Sequence, residues 1–401
     1  MIKKYIKRKI YLEKIGPFID KDIIKVIVGQ RRVGKSYLLF QIMDLIKEKH
    51  KQANVIYINK ELNEFDKIKN YQDLLTHIKK SAKGGGKNYV FIDEIQDIDK
   101  FEKALRSLKA SGRHDIYCTG SNAHLLSGEL ATYLSGRYIE IQVFGLSYPE
   151  FLTFHKLENS QDSLLKYIKY GGLPYLKHLE LNDLIVYDYL RNVYNAILYK
   201  DVVSRHKIRN PAFLESLIEY LADNTGSLVS AKKVSDFLKS QKINISPNIV
   251  LDYLSFLVNA FFISKTPRAD IQGKKIFEIN DKYYFKDLGL RHAIIGYKQV
   301  DISKILENLV FLHLQTAGYK IFVGKLGNKE VDFVCEKQGK KIYVQTAYLI
   351  TDKNKEREFG NLLAVKDNYP KIVVSMDEFI DRKGYRGIEH IHIRDFLSSV
   401  Y

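Results

Sequence analysis

Residues 29–36 read Gly29-Gln30-Arg31-Arg32-Val33-Gly34-Lys35-Ser36. An apolar run over residues 23–28 precedes this stretch and predicts a buried strand, and apolar residues at helical spacing follow it. Strand, glycine-bounded loop and helix, in this order, are typical of G-x-x-x-x-G-K-[ST] loops that bind phosphate. The glycines allow backbone N–H groups to converge on a phosphate without interference from a Cβ atom. A simple glycine turn beside a surface lysine is the alternative, and the flanking strand and helix argue against it.

The chemistry of such a loop defines the first set of candidate residues. The N-terminus of the following helix carries about half a positive charge, which favours an anion at that point. We expect Lys35 to neutralise the β- and γ-phosphates and the Ser36 hydroxyl to ligate Mg²⁺. The predicted cofactors are therefore ATP and Mg²⁺, and the predicted nucleotide-binding residues are Gly29, Arg32, Val33, Gly34, Lys35, Ser36 and Tyr37.

Two acids follow a second buried strand. Residues 89–92 are apolar and lead directly into Asp93 and Glu94. Ligands of open α/β sheets bind at the carboxyl ends of the strands, where these acids would lie. We expect Asp93 to hold Mg²⁺ and Glu94 to deprotonate the attacking water, with Gln96 at the same edge. The alternative is a strand that ends in two solvated acids, but a preceding phosphate loop favours the site.

Residues 114–122 predict another strand, with polar residues at its C-terminal end. Ser121 and Asn122 are candidates for hydrogen bonding to the γ-phosphate, and Thr119 is a third. A turn with a helix cap explains the same residues and is compatible with that role. Arg137 precedes another strand and is a candidate for stabilising γ-phosphate charge, on its own chain or on a neighbour. A surface arginine is the alternative.

Composition limits the class of protein. The 401 residues carry 64 Lys+Arg against 47 Asp+Glu, a net charge of +17, which favours an anionic partner such as DNA slightly over a merely solvated basic surface. No apolar run is long enough to cross a membrane. The two cysteines, Cys118 and Cys335, show no metal-ligand spacing, which favours a reducing cytoplasmic compartment.

The order of patterns predicts five regions. Residues 1–20 form a basic lead-in whose lysines and Arg8 face solvent, and residues 21–150 form a P-loop ATPase core. Alternating strands and helices in this core predict an α/β fold with a doubly wound parallel sheet. Three further regions are a helical region at 151–224, a winged helix at 225–298 and a small α/β nuclease-like domain at 299–401.

The winged-helix prediction depends on two short helices and a hairpin. Ser230 caps a helix that runs to Lys239, and Ser246-Pro247 opens a second helix that runs to about Asn259. We expect residues 262–266 and 275–279 to pair as the wing. The exposed positions of the second helix carry no Lys or Arg, so DNA contact and protein contact both stay open for this module.

The final region carries part of a nuclease pattern. Glu307 on a helix and Asp332 on a strand match the acids that bind Mg²⁺ in metal-dependent nucleases. The next strand of that pattern has Glu-x-Lys, where this chain has Gln345 and Ala347. A neutral amide oxygen is a poor Mg²⁺ ligand and alanine supplies none, so we expect an inactive domain.

Across nearly all its length the chain resembles prokaryotic AAA-type ATPases whose core is followed by a domain of unknown function. The matching segments are GQRRVGKS, YVFIDEIQ, CTGSN, LSGRY around Arg137, YGGLP at 170–174, Asp201 to Arg205, KYYFKDLGLR at 282–291 and VDFV at Asp332. The resemblance implies ATP as the nucleotide, an AAA-like core, a winged helix and a nuclease-like tail.

These observations predict an ATPase that hydrolyses ATP with Mg²⁺ and couples its nucleotide state to rearrangement of the C-terminal modules. One alternative is a nucleotide-gated switch with little turnover that binds DNA or a protein client. A second alternative is an active metal-dependent DNA nuclease. The candidate partners are ATP, nucleic acid through the basic surface, an unidentified protein client and a second copy of the chain, with no membrane.

Overall fold

A parallel sheet forms from the strands that the sequence predicts around the glycine-bounded loop. The computed structural model describes residues 5–84, 86–123, 134, 136–240, 242–271, 273, 280–378 and 384–399. Its contacts divide the chain into two compact units. The first comprises Met1–Phe144 with Asn259–Phe261, and the second comprises Gly145–Val258 with Phe262–Tyr401.

The first unit alternates strands with helices. Its strands are β1 (Ile24–Val28), β2 (Asn54–Asn59), β3 (Asn88–Asp93), β4 (His114–Gly120) and β5 (Tyr138–Gln142). Its helices are α1 (Lys9–Ile15), α2 (Lys35–Lys49), α3 (Tyr71–Ser81) and α4 (Phe101–Ala110). Helix α3 begins at Tyr71, where the side chain of Asn70 caps it by accepting hydrogen bonds from the backbone N–H groups of Gln72 and Asp73.

The five strands are all parallel, in the order β2-β3-β4-β1-β5. This arrangement confirms the α/β class and the parallel sheet. Strands β1 and β3 are buried along their whole length, as expected of strands covered on both faces. In this register Val28 lies beside Gly120 and Ile92 beside Cys118. The residues that follow β1, β3 and β4 therefore emerge at one edge of the sheet.

The second unit begins with helices, as predicted for residues 151–224. They are α5 (Tyr148–His155), α6 (Gln161–Tyr170), α7 (Asp183–Ala196) and α8 (Pro211–Asp223), with a π-helical segment at Ile197–Ser204. Asp201 lies in that segment and is buried, 3.9 Å from Arg205, so the pair is not the surface ion pair that the spacing suggests.

Helix α8 is followed by β6 (Leu228–Val229), α9 (Ala231–Ser240), α10 (Pro247–Asn259), β7 (Ile263–Thr266), β8 (Arg268–Asp270) and β9 (Asp281–Phe285). Strands β6, β9 and β7 form an antiparallel sheet in that order. Strand β7 pairs with β9 over Ile263 to Thr266, and its predicted pairing with residues 275–279 stays a prediction. Residues 275–279, the partner expected from sequence, lie outside the described residues.

The remaining elements are α11 (Leu288–Ile295), α12 (Ile302–Thr316), β10 (Lys320–Leu326), β11 (Lys329–Lys337), β12 (Lys340–Thr346), α13 (Asp352–Leu363), β13 (Lys371–Ser375), β14 (Glu389–His392) and α14 (Ile393–Ser398). A mixed six-stranded sheet has the order β14-β13-β12-β11-β10-β8. Strands β11 and β12 form an antiparallel hairpin. In the part of the chain that the structure describes, no helix combines the length and the hydrophobicity needed to cross a membrane.

Two sequence motifs of the second unit meet each other. In YGGLP, Gly171 has a φ of +77°, and a Cβ there would lie 2.4 Å from a carboxylate oxygen of Asp287. The other oxygen of Asp287 accepts a hydrogen bond of 2.8 Å from the Gly172 N–H. Asp287 also caps helix α11 through the Leu290 N–H at 3.0 Å. The two motifs therefore build one buried joint.

Candidate functional site

The glycine-bounded loop connects β1 to α2 in a conformation that depends on its two glycines. Gly29 has a φ of +152°, and a Cβ there would lie 2.3 Å from the carbonyl oxygen of Val143. Gly34 has a φ of +93° and is the N-cap of α2, without any side chain to occupy the helix N-terminus. Both positions therefore leave backbone N–H groups of the loop accessible to an anion.

Lys35 lies inside the loop and not on the surface. Its Nζ donates to the carbonyl oxygens of Gly29 at 3.0 Å and Gln30 at 3.2 Å. The same Nζ is 3.8 Å from Oε1 of Glu94, and both side chains are buried. The lysine of the loop and an acid that follows β3 thus share one site.

Ser36 connects the loop to Asp93, the other acid of the site. Its side chain forms a hydrogen bond to Asp93 that, like the bond from Thr119, favours the ionised carboxylate. Burial has the largest effect and raises the pKa of Asp93 above its ordinary value. Tyr57 also donates to Asp93, at 3.2 Å. A serine hydroxyl and a carboxylate side by side are hard oxygen ligands, which fit Mg²⁺ when phosphate and water complete its coordination.

Glu94 is held in an unusual backbone conformation. Its φ is +57°, in the left-handed region that a residue other than glycine seldom adopts. Its N–H donates to Oγ1 of Thr119 at 2.9 Å, and the Gln96 amide donates to its carboxylate. This fixes the direction of the carboxylate towards Lys35, as expected of a group that orients a water molecule.

The other predicted residues have different surroundings. Ser121 and Asn122 are buried at the end of β4, at the edge that the loop occupies. Val33 is buried, whereas Arg32, with a φ of +72°, and Tyr37 are exposed. Sequence analysis ranked Thr119 third for this edge, yet it is the residue whose hydroxyl links both acids. Binding of nucleotide by these residues stays a prediction.

The structure does not bring Arg137 to the phosphate loop of its own chain. Its carbonyl accepts from the N–H of Ile24, the first residue of β1, whereas the loop follows Val28, the last. Five residues of strand separate these points by about 16 Å. The exposed Arg137 therefore lies at the opposite edge of the sheet. The alternative that Arg137 acts at the nucleotide site of a neighbouring copy of the chain stays a prediction.

Sequence analysis was wrong about Arg8, which is 3% exposed and does not face solvent. Its Nη1 donates to the carbonyl oxygen of Val33 at 3.2 Å and to that of Phe144 at 2.9 Å. Tyr11, fully buried, accepts a bond of 2.9 Å from the Phe144 N–H. The lead-in therefore connects the phosphate loop to Phe144, where the first long segment of the first unit ends. A lysine-rich segment gives no local signal for such a contact.

Comparison with known proteins adds a family relationship. Residues 21–152 match the model of an AAA domain, and residues 161–301 match that of a domain of unknown function (DUF8612). An uncharacterized protein of Haemophilus influenzae is 39% identical over 404 residues, covering 99% of this chain and 100% of that protein. An uncharacterized protein of Methanocaldococcus jannaschii is 34% identical over 372 residues, covering 86% of this chain and 81% of that protein.

Two solved structures resemble the chain more remotely. The ORC1 protein of Aeropyrum pernix in complex with DNA has a TM-score of 0.33 at 10% identity, covering 73% of this chain and 93% of that one. Cdc6p of Pyrobaculum aerophilum has a TM-score of 0.32 at 13% identity, covering 77% and 97%. Both TM-scores are too low to bear on the function of this chain.

Proposed function

We propose, on the premise that this chain belongs to the family of AAA-domain proteins represented by its Haemophilus influenzae relative, that it binds ATP with Mg²⁺ and hydrolyses it. One observation carries the proposal. Lys35 lies 3.8 Å from Glu94, and Ser36 bonds to Asp93, so the phosphate-binding and acidic groups belong to one site.

Each residue has a role in the proposed reaction. The loop N–H groups and Lys35 bind the phosphates, and Ser36 and Asp93 would hold Mg²⁺, which would offset the phosphate charge. Glu94 accepts a proton from the attacking water and directs it in line with the γ-phosphate. Ser121 and Asn122 face that phosphate, and Arg137 supplies charge from a neighbouring copy.

The proposal is tested by substituting Glu94→Gln, which keeps the size of the side chain and removes its basicity. We expect ATP to bind within about twofold of wild type and turnover to fall roughly 100-fold or more, the usual contribution of a general base. Lys35→Ala should abolish binding instead. Glu64→Gln, an exposed acid of the same unit, is the matched control and should behave as wild type. Unchanged phosphate release by Glu94→Gln would refute the assignment.

We also propose identities for the C-terminal modules. The succession α8, β6, α9, α10, β7, β9 with the sheet order β6-β9-β7 supports a winged helix. The exposed positions of α10 include Asn248, Asp252 and Ser255 without a cation, which favours protein contact over DNA contact by that helix. The succession α12, β10, β11, β12, α13, β13 supports a nuclease-like domain, inactive because Gln345 and Ala347 replace the acid and the lysine.

We also propose a second role for the protein, which is to bind nucleic acid in the cytoplasm in a way that depends on the bound nucleotide. A groove on the six-stranded sheet supports this role. This groove of about 630 Å³ contains four lysines against two acids, together with aromatic rings; the lining includes Lys320, Lys337, Lys340, Lys341, Asp270, Glu336, Phe322 and Tyr369. Lys320 lies 5.0 Å above the ring of Phe322, and Lys341 lies 5.5 Å above that of Tyr369. Cations and rings in one groove are typical of surfaces that bind single strands.

The salt dependence of DNA binding tests this second role. A labelled single-stranded oligonucleotide is titrated between 50 and 200 mM salt with wild type and with the double variant Lys320→Ala, Lys340→Ala. We expect the slope of log affinity against log salt to decrease by about 1.4, since each neutralised phosphate of a single strand contributes about 0.7. The control replaces Lys47 and Lys51, exposed lysines of the first unit. Equal slopes for wild type and the groove variant would exclude the groove.

A further inference from the structure

Three acids of the nuclease-like domain lie around a cation that belongs to the chain itself. Glu307 is on α12, and Glu330 and Asp332 are on β11. Lys282, on β9 of the three-stranded sheet, directs its Nζ to Oε1 of Glu307 at 2.9 Å and to Oε1 of Glu330 at 2.9 Å. Lys282 is 4% exposed, so its ammonium is shielded from solvent, whereas the side chain of Glu330 is 33% exposed.

Further contacts fix the acids where they are. The hydroxyl of Tyr284 donates to the same Oε1 of Glu307 at 2.6 Å. Gly226 lies so close to that carboxylate that a Cβ would stand 3.2 Å from its oxygens. Asp332 accepts bonds from the N–H and the hydroxyl of Thr346, at 2.8 and 2.7 Å. The arrangement is therefore a hydrogen-bonded polar network in which the Lys282 ammonium opposes the repulsion between Glu307 and Asp332.

The geometry suits an ammonium ion better than a divalent metal. A separation of 2.9 Å is that of a charge-assisted hydrogen bond, whereas Mg²⁺ requires oxygens at about 2.1 Å in an octahedral set. The amide oxygen of Gln345 accepts from the N–H of Asp332 at 3.3 Å. Across the described residues, no group of three or more His, Cys, Asp or Glu side chains has an arrangement that would hold a metal.

We infer that Lys282 is a built-in counter-ion that takes the place of the divalent cation between Glu307 and Glu330 and closes this acidic site to metal. The ammonium offsets the charge that a metal would otherwise neutralise, and an ion pair broken on one side leaves a buried charge uncompensated. Because Lys282 is on β9 and the acids are on α12 and β11, these ion pairs also stabilise the contact between the three-stranded sheet and the nuclease-like domain. The inference is independent of ATP hydrolysis.

Two variants of the whole chain separate the effect of the positive charge at Lys282 from the effect of its side-chain shape. Lys282→Met removes the ammonium and keeps most of the apolar stem, whereas Lys282→Arg keeps a cation in the cluster. Mn²⁺ binding is measured by electron paramagnetic resonance in the absence of nucleotide, with thermal unfolding as the check of folding. We expect Lys282→Met to bind Mn²⁺ at least tenfold more tightly than wild type or Lys282→Arg, and Mn²⁺ to raise its unfolding temperature.

The gained binding must depend on the acids. Adding Glu307→Gln to Lys282→Met should abolish it, whereas Glu307→Gln in the wild-type background should leave Mn²⁺ binding unchanged. That second comparison keeps the inference testable if Lys282→Met does not fold. Mn²⁺ binding by wild type that is lost in Glu307→Gln would overturn the inference, as would a folded Lys282→Met protein that binds no more Mn²⁺ than wild type.

Discussion

Arg8 makes hydrogen bonds to residues that are 25 and 136 positions away in the sequence. One nitrogen of its guanidinium holds carbonyl oxygens of the phosphate loop and of Phe144. Hydrogen bonds from a charged donor contribute about 1.5–3 kcal/mol each when buried. We therefore predict that Arg8→Ala weakens nucleotide binding about tenfold or more, because the loop loses an external support. Fluorescent ADP titration measures this effect.

Lys9→Ala is the control for Arg8, since Lys9 is the neighbouring basic residue and is exposed. It should bind nucleotide as wild type does. Equal affinity of Arg8→Ala and wild type, with the fold intact by circular dichroism, would show that the contact does not position the loop.

Thr119 allows a second prediction at this scale. Its hydroxyl donates to Asp93 and accepts from the N–H of Glu94. Thr119→Val keeps the shape and removes both bonds, so the pKa of Asp93, already raised by burial, rises further. A protonated Asp93 cannot ligate Mg²⁺. We predict that Thr119→Val needs more Mg²⁺ for half-maximal turnover, increasingly so as the pH falls. An unchanged Mg²⁺ requirement from pH 6 to 8 would contradict this role.

The sequence signal for the candidate site is local. Lys35, Ser36, Asp93 and Glu94 are recognisable from spacing and from the strands that precede them, and the structure brings them together. Arg8 was misassigned because its burial depends on partners that are 25 and 136 residues away. Thr119 was ranked too low because alternation along a strand does not reveal which hydroxyl faces the neighbouring strand's acid.

The joint between the YGGLP and KDLGLR segments gives a prediction at the scale of elements. Burial raises the pKa of Asp287 to about 6, against the opposing effect of the N–H bonds from Gly172, Leu290 and Gly289. A carboxyl whose pKa is raised on folding favours the folded state below its unfolded pKa and loses that contribution as the pH rises through the folded value. The shift corresponds to about 3 kcal/mol between pH 4 and pH 6.

Asp287→Asn tests this linkage. Thermal unfolding of wild type and variant is compared from pH 4 to pH 7. The variant cannot ionise, so we predict that its disadvantage relative to wild type is largest at pH 4 and shrinks as the pH approaches 6. A difference in unfolding temperature that is constant over this range would show that Asp287 titrates normally.

Helices with a strong periodic pattern are predictable from the sequence. The pairing of strands is less predictable. Helices α9 and α10 each begin after a capping serine, as expected. Ser230 accepts a hydrogen bond from the N–H of Lys233, and Ser246 accepts one from the N–H of Ile249. We expect residues 262–266 to pair with 275–279, which lie outside the described residues, and the described partner of β7 is the later strand β9. Strand pairing is decided by non-local side-chain packing, which a single sequence does not display.

At the scale of the whole molecule, the position of Arg137 predicts that activity requires a second copy of the chain. Within one chain this residue lies about 16 Å from the phosphate loop. We predict that Arg137→Ala and Glu94→Gln are each inactive alone. In an equimolar mixture the Glu94→Gln chain supplies an arginine to the intact site of the other, and turnover returns.

The mixture has an internal control. A double variant, Glu94→Gln with Arg137→Ala, supplies no arginine and should not restore turnover when mixed with Arg137→Ala. Recovery with the double variant, or full activity of Arg137→Ala alone, would remove Arg137 from the reaction. The sequence predicts a second copy of the chain only as a candidate partner, because surface residues show no periodic pattern that identifies a partner.

The most direct test of the nucleotide site is an experimental structure with Mg²⁺ and a non-hydrolysable ATP analogue. We predict that the β-phosphate lies on the N–H groups of residues 29–36, that Lys35 lies beside the γ-phosphate, and that Mg²⁺ lies between Ser36 and Asp93. A nucleotide bound elsewhere, or Lys35 and Asp93 on opposite sides of it without a shared metal and phosphate, would contradict the account.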